Sequence, residues 1–299
     1  MIGSKLATAR PGPGVRRVSL DDEPFGGPTV RLVSLWTPVH GLRLHALASA
    51  EVLPPDVPTV VLVHGVAVSS RYLVPLAQRL APRARVYVPD LPGYGRSERP
   101  RGRDLTVPEL ADALLAWMDR AGAERPHLLG NSFGCQVIAD LASRHPDRVG
   151  RLVLQGPTMD PRARSVWRQA LRWLAVVPFE RPSEGLVLLR DVWDLGPRRA
   201  ADMIRMALHD PIEQRLRRIS APTLVVRGTR DAIVPQRWAE DAAQLLPNGR
   251  LVVIERAAHT INYSQPAWLA SVVLPFLTGD QPDNVSARAV GEAGTDSNR

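Results

Sequence analysis

The chain has 299 residues, 44% hydrophobic and 23% charged, with a formal net charge of +8. That is enough chain for one α/β domain carrying an insertion, and no stretch approaches the roughly 20 unbroken apolar residues of a membrane-spanning helix. The basic balance would suit a nucleic-acid partner, but Lys5 is the only lysine and the arginines are scattered among acids, as in Arg198, Arg199 and Asp202, so the bias reads as a coding habit that excludes nucleic acid as partner.

From the N-terminus, residues 1–29 read as a flexible tail, polar and rich in Pro and Gly without the apolar centre of a secretory signal, which leaves the cytoplasm as the expected location. Arg31 to Trp36 and Leu42 to Ala48 alternate apolar and polar residues around a turn at Thr37 to Gly41, the pattern of an antiparallel hairpin. Thr59 to Val63, Arg85 to Val88, His127 to Leu129, Arg151 to Leu154, Thr223 to Val226 and Leu251 to Ile254 are short Val- and Leu-rich runs without alternation, as in strands buried on both faces. Helical patterns fall between most of them, at Ser70 to Leu80, Val107 to Ala121, Cys135 to Ser143, Gln236 to Leu246 and Pro266 to Leu277. This alternation predicts an α/β fold with a mostly parallel central sheet and helices on both faces. Residues 30–156 and 221–278 form that core. Residues 157–220 carry helical patterns with no strand, at Val166 to Val177, Glu184 to Trp193 and Arg198 to Leu208, and predict an inserted helical cap over the ligand crevice. Residues 279–299 read as a second flexible tail.

Gly130-Asn131-Ser132-Phe133-Gly134 lies at a strand-to-helix corner, where a tight turn holds the serine strained and exposed. A serine hydroxyl needs a base, and the base needs a carboxylate to fix its tautomer. Asp231 follows one strand end and His259 the next, in the order Ser, Asp, His. Asp160 is the rival acid, since it also follows a strand. His40, His45, His127, His145 and His209 read as surface or packing residues, and Asp90 as a turn-former. Oxyanion donors are expected from the backbone N–H groups of Phe133, which follows the nucleophile, and of Val66, with Ala67 as the alternative, in the loop His64 to Ala67, which His64 braces. The lone Cys135 excludes an intramolecular disulfide and reads as a small buried hydrophobe.

These motifs together, His64-Gly65, Asp90-x-Pro92-Gly93-x-Gly95-x-Ser97, the turn at Ser132 and the Asp231 and His259 pair, resemble the α/β-hydrolase superfamily over nearly all of Val30 to Leu277. The resemblance implies a capped serine hydrolase that needs neither metal nor organic cofactor. Serine at 132 sets the chain apart from the haloalkane dehalogenase and epoxide hydrolase branches, which place aspartate there. Gly-Asn-Ser is similar to the meta-cleavage carbon-carbon bond hydrolases, which usually carry tryptophan after the histidine where this chain has Thr260. The expected function is cleavage of a small to medium, mainly apolar carboxylic ester or lactone through an acyl-enzyme on Ser132, with Tyr94, Trp167 and Trp193 as substrate contacts. A carbon-carbon bond hydrolase of a diketone-type substrate is the alternative, and a low-turnover ligand-binding receptor is the alternative of another class. The expected partner is a small-molecule acyl substrate, with no nucleic acid and no membrane; self-association as a homodimer stays open.

Overall fold

The computed structural model describes residues 15–18 and 30–279 apart from Val52 and Pro55. Nine strands form one sheet: β1 (Val15–Val18), β2 (Leu32–Val39), β3 (Leu42–Ser49), β4 (Thr59–Val63), β5 (Arg85–Pro89), β6 (His127–Asn131), β7 (Leu152–Gln155), β8 (Thr223–Gly228) and β9 (Gly249–Ile254), in the spatial order β1-β9-β8-β7-β6-β4-β5-β3-β2. Strands from β1 to β5 in that order pair in parallel, and the β2–β3 hairpin closes the other edge antiparallel. The hairpin turns on His40 and Gly41, both with positive φ (48° and 77°), the backbone that matches the twist of two-residue loops.

Burial on both faces explains the unbroken apolar runs. Successive residues of each strand feed opposite sides of the sheet. Val61, Val63, Leu128, Leu152, Leu154, Val225 and Val253 join one core with α2 (Val107–Arg120), α3 (Phe133–Arg144) and α8 (Gln236–Leu245). Val60, Leu62, Leu129, Val153, Leu224, Val226 and Ile254 join the other with α1 (Val74–Leu80), the single-turn α9 (Ile261–Ser264) and α10 (Pro266–Thr278). The insertion between β7 and β8 contains no strand and comprises α4 (Val166–Val176), α5 (Pro182–Leu195), α6 (Pro197–His209) and the short α7 (Ile212–Leu216).

One expectation needs correction. Residues 15–18 belong to the stretch read as a tail, yet they form β1 and pair with Leu251 to Ile254. Without them β9 would expose a row of unpaired backbone groups at the sheet edge. The remainder of both expected tails, residues 1–14, 19–29 and 280–299, lies outside the described residues.

The topology fixes where chemistry can occur. Asn131 pairs with Gln155, Gln155 with Val226, and Gly228 with Ile254, so the carboxyl ends of β6, β7, β8 and β9 finish along one edge. The loops leaving that edge carry Ser132, Gly156, Asp231 and His259.

Candidate active site

Ser132 sits between β6 and α3 with φ 54° and ψ −116°, a conformation that L-residues adopt only when their surroundings impose it. The flanking glycines supply the constraint. A Cβ on Gly130 would lie 2.6 Å from the carbonyl carbon of Gly134, and one on Gly134 would collide with the Val63 carbonyl. Phe133 opens α3, so its N–H has no acceptor within the helix and is free for a ligand, while its ring is buried in the core. Gly65 and Val66 follow β4, and a Cβ on Gly65 would come within 3.5 Å of Ser132 Cβ. The Val66 loop and the serine are therefore neighbours. Ala67 completes that loop at φ 58°.

His259 Nδ1 lies 2.8 Å from Asp231 Oδ2, and both residues are buried. The Val234 N–H donates to Asp231 Oδ1 at 2.9 Å, which leaves the carboxylate held on both oxygens. A carboxylate at Nδ1 fixes the proton there and leaves Nε2 as the basic nitrogen. Burial pushes the His259 pKa down, but the charge of Asp231 and its hydrogen bond outweigh burial and the net shift is upward. The imidazole rests on Gly156, where a Cβ would come within 3.0 Å of Nδ1. The preceding Gln155 accepts the Ser132 N–H at 3.0 Å through its carbonyl.

Asp160 does not take the rival role. Its oxygens accept from the Arg162 N–H and from the Arg172 and Arg237 guanidinium groups at 3.0 to 3.2 Å, tying α4 to α8. His64 braces as expected: the Leu91 N–H donates to Nε2 at 3.1 Å, which leaves Nδ1 to donate to the Gly65 carbonyl at 2.8 Å. Asp90 is more than a turn-former, since it also receives His45 Nδ1 at 2.8 Å and the Ser70 N–H at 2.7 Å and so joins the hairpin to two loops.

Two of the expected substrate contacts are corrected. Trp167 and Trp193 are 80% and 82% exposed, so neither forms the wall of a pocket. Tyr94 is buried, with its ring tilted 55° to that of His64 at 4.9 Å between centroids and covered by the Arg199 guanidinium.

The sequence reading missed a buried hydrogen-bond chain beneath the site. Gly65 N–H donates to the Tyr72 hydroxyl (2.7 Å), Tyr72 to Asn131 Oδ1 (2.5 Å), Asn131 Nδ2 to Gln155 Oε1 (2.7 Å) and Gln155 Nε2 to the His259 carbonyl (2.6 Å). An obligate donor at one end and an obligate acceptor at the other set the direction of all four bonds. Burial pushes the Tyr72 hydroxyl well above its ordinary value, so it remains a donor.

A second missed contact comes from the cap. Glu180 Oε1 accepts the N–H groups of His259 (2.7 Å) and Thr260 (2.8 Å). The Thr260 hydroxyl lies 2.5 Å from Glu180 Oε2 and 2.6 Å from Glu184 Oε2. One hydroxyl proton cannot serve two carboxylates, so one carboxyl must carry a proton. Burial first, then the Glu180 charge, pushes Glu184 up to about 7.

Residues 58–183 match the family described as alpha/beta hydrolase fold, and residues 198–287 the one described as TAP-like protein. Curated relatives include the 2-hydroxymuconate semialdehyde hydrolase of a Pseudomonas species, 29% identical over 66% of this chain and 78% of that protein. The carboxylesterase YbfK of Bacillus subtilis is 26% identical over 79% of this chain and 85% of its own. Among solved structures, the enol-lactonase of Burkholderia xenovorans superposes with a TM-score of 0.67 at 25% identity, covering 82% of this chain and all (100%) of that one. The chain belongs to the α/β-hydrolase superfamily and is a hydrolase.

Removing the Tyr72 hydroxyl leaves the Gly65 N–H and Asn131 Oδ1 buried without partners, so Tyr72→Phe should lose about 1–3 kcal/mol of stability in urea unfolding, well beyond the loss of one exposed bond. The Glu184 carboxyl holds its proton in the folded chain up to about 7, against 4.5 ordinarily, so between those values only the unfolded chain has released it. Stability from this group therefore falls as pH rises across that window. Thermal unfolding of Glu184→Gln at about pH 5 and about pH 8 should show a smaller drop with pH than the parent.

Proposed function

We propose that the protein is a serine hydrolase that cleaves a small to medium, mainly apolar carboxylic ester or lactone through an acyl-enzyme on Ser132. The observation that carries this reading is the buried His259–Asp231 pair at 2.8 Å, resting against the residue next to the carbonyl that holds the Ser132 amide. Ser132 Oγ attacks the acyl carbon while its proton passes to His259 Nε2, and Asp231 stabilises the imidazolium. The N–H groups of Phe133 and Val66 hold the oxyanion, each such donor being worth roughly 2.7–4 kcal/mol in a transition state of this kind. Collapse of the tetrahedral intermediate breaks the bond to the leaving alcohol, which takes the proton from His259. Water then repeats the sequence on the acyl-enzyme and restores Ser132. No step calls on a metal or organic cofactor, the partner is a small-molecule acyl substrate, and the place of action is the cytoplasm.

The likeness to the carboxylesterase and the enol-lactonase supports an ester or lactone. The likeness to 2-hydroxymuconate semialdehyde hydrolase favours carbon-carbon bond hydrolysis as the second reading, with the same three residues. Initial rates on p-nitrophenyl esters of increasing chain length, simple lactones and a vinylogous diketone separate the two. Turnover of esters or lactones with little on the diketone is the expected result. Cleavage of the diketone by a preparation inert to every ester and lactone would transfer the assignment to the second reading.

A further inference from the structure

The cap presents its apolar side outward. In α4 the residues turned toward the protein are Gln169, Arg172 and Val176, and two of the three are polar. Gln169 donates to the Ala163 carbonyl at 2.7 Å, and Arg172 to Asp160 and to the Ile233 carbonyl. The opposite side carries Trp167, Leu171 and Leu174, at 80%, 68% and 59% exposure. Phe179 after α4, and Leu186, Leu189 and Trp193 on α5, are exposed in the same way. An ordinary surface helix buries its apolar stripe and wets its polar one. Here the pattern is reversed, and a concentration of exposed large hydrophobics on one substructure marks a surface that meets something else.

The charges around it indicate what that is. Over residues 161–195 there are six arginines, Arg162, Arg164, Arg168, Arg172, Arg181 and Arg190, and four acids, of which Glu180 and Glu184 are engaged with Thr260 and Asp191 and Asp194 with Arg71. Arg164 and Arg172 are paired with Glu213 and Asp160. Arg162, Arg168 and Arg181 are exposed and have no ion-pair partner among the described residues. Arg230 adds a cation 5.0 Å over the Phe179 ring. An isologous dimer through this face would bring the same cationic rims of two copies together, which costs affinity. A negative surface with an apolar interior meets both features: tryptophan and leucine enter the boundary between headgroups and acyl chains, and arginines contact the phosphates.

We propose that the outward face of α4 and α5 is a docking surface for an anionic lipid bilayer. No spanning segment is needed, since such a face lies in the plane of the interface. The outward side chains of this face are not the triad residues, and its test reads vesicle binding and does not depend on the substrate assignment.

The test is co-sedimentation with vesicles of phosphatidylcholine alone and of phosphatidylcholine with phosphatidylglycerol, with tryptophan emission recorded alongside. The protein should sediment with the anionic vesicles, with a blue shift of emission, and raised salt should weaken the binding. Leu171→Glu with Leu174→Glu, and independently Arg168→Glu with Arg181→Glu, should each weaken binding at least about tenfold. Circular dichroism of both variants should match the parent, and the arginine pair keeps the test valid if the leucine pair misfolds. Absence of binding at low salt, or variants that bind as well as the parent, would overturn the proposal. So would a stable dimer of the parent that the leucine pair splits while vesicle binding stays absent.

Discussion

The arrangement depends on a directed chain of four buried hydrogen bonds, Gly65 to Tyr72 to Asn131 to Gln155 to the His259 carbonyl. It connects the loop that carries Val66, the residue before Ser132, the end of β7 and the backbone of His259. Turning either amide alone would set donor against donor or acceptor against acceptor, so the chain holds together as a unit. Parallel strands bring the loops to one edge, and this chain fixes their relative positions. Strain at Ser132 is tolerable because Gly130 and Gly134 let neighbouring backbone close around it and Gln155 holds its amide from the adjoining strand.

The cap is fastened to the core by polar contacts beside the apolar packing of α6 and α7, where Met203, Ala207, Ile212 and Leu216 join the core. Asp191 accepts from the Ser69 N–H and hydroxyl at 2.8 Å and pairs with Arg71, Arg199 reaches Asp104 and the Gly93 carbonyl, and Glu180 holds the backbone of His259 and Thr260. Using charged and amide groups for anchorage frees the apolar side of α4 and α5 to face outward. The same choice places Glu180 and Glu184 around the Thr260 hydroxyl, where the cap meets the His259 loop.

The fold was legible because burial writes itself into the sequence: runs such as Val60 to Val63 and Leu152 to Leu154 have no polar residue because the sheet is covered on both sides. The strained turn at Ser132 and the pairing of Asp231 with His259 could be expected because each calls for a fixed residue type at a strand end. Asn131, Gln155 and Tyr72 were not, since an amide or a phenol becomes significant only when strand register and loop packing set it against its partner. The Asn131–Gln155 pairing is a matter of β6–β7 register, and Tyr72 approaches from a loop 59 residues away. The exposure of Trp167 and Trp193 could not be read from the sequence for a different reason: periodicity locates an apolar stripe on α4 but does not say which way it faces. Val15–Val18 escaped notice because two arginines in a four-residue strand leave no apolar signature, and only the open edge of β9 defines its place.

The central claim, that Ser132 is a nucleophile activated by His259 and Asp231, is tested most directly by exposing the folded protein to a fluorophosphonate and locating the adduct by peptide mass spectrometry. The account requires one stoichiometric adduct on Ser132, lost in Ser132→Ala and strongly slowed in His259→Ala. A folded protein that takes up no reagent, or one labelled equally well after Ser132 is replaced, would contradict it.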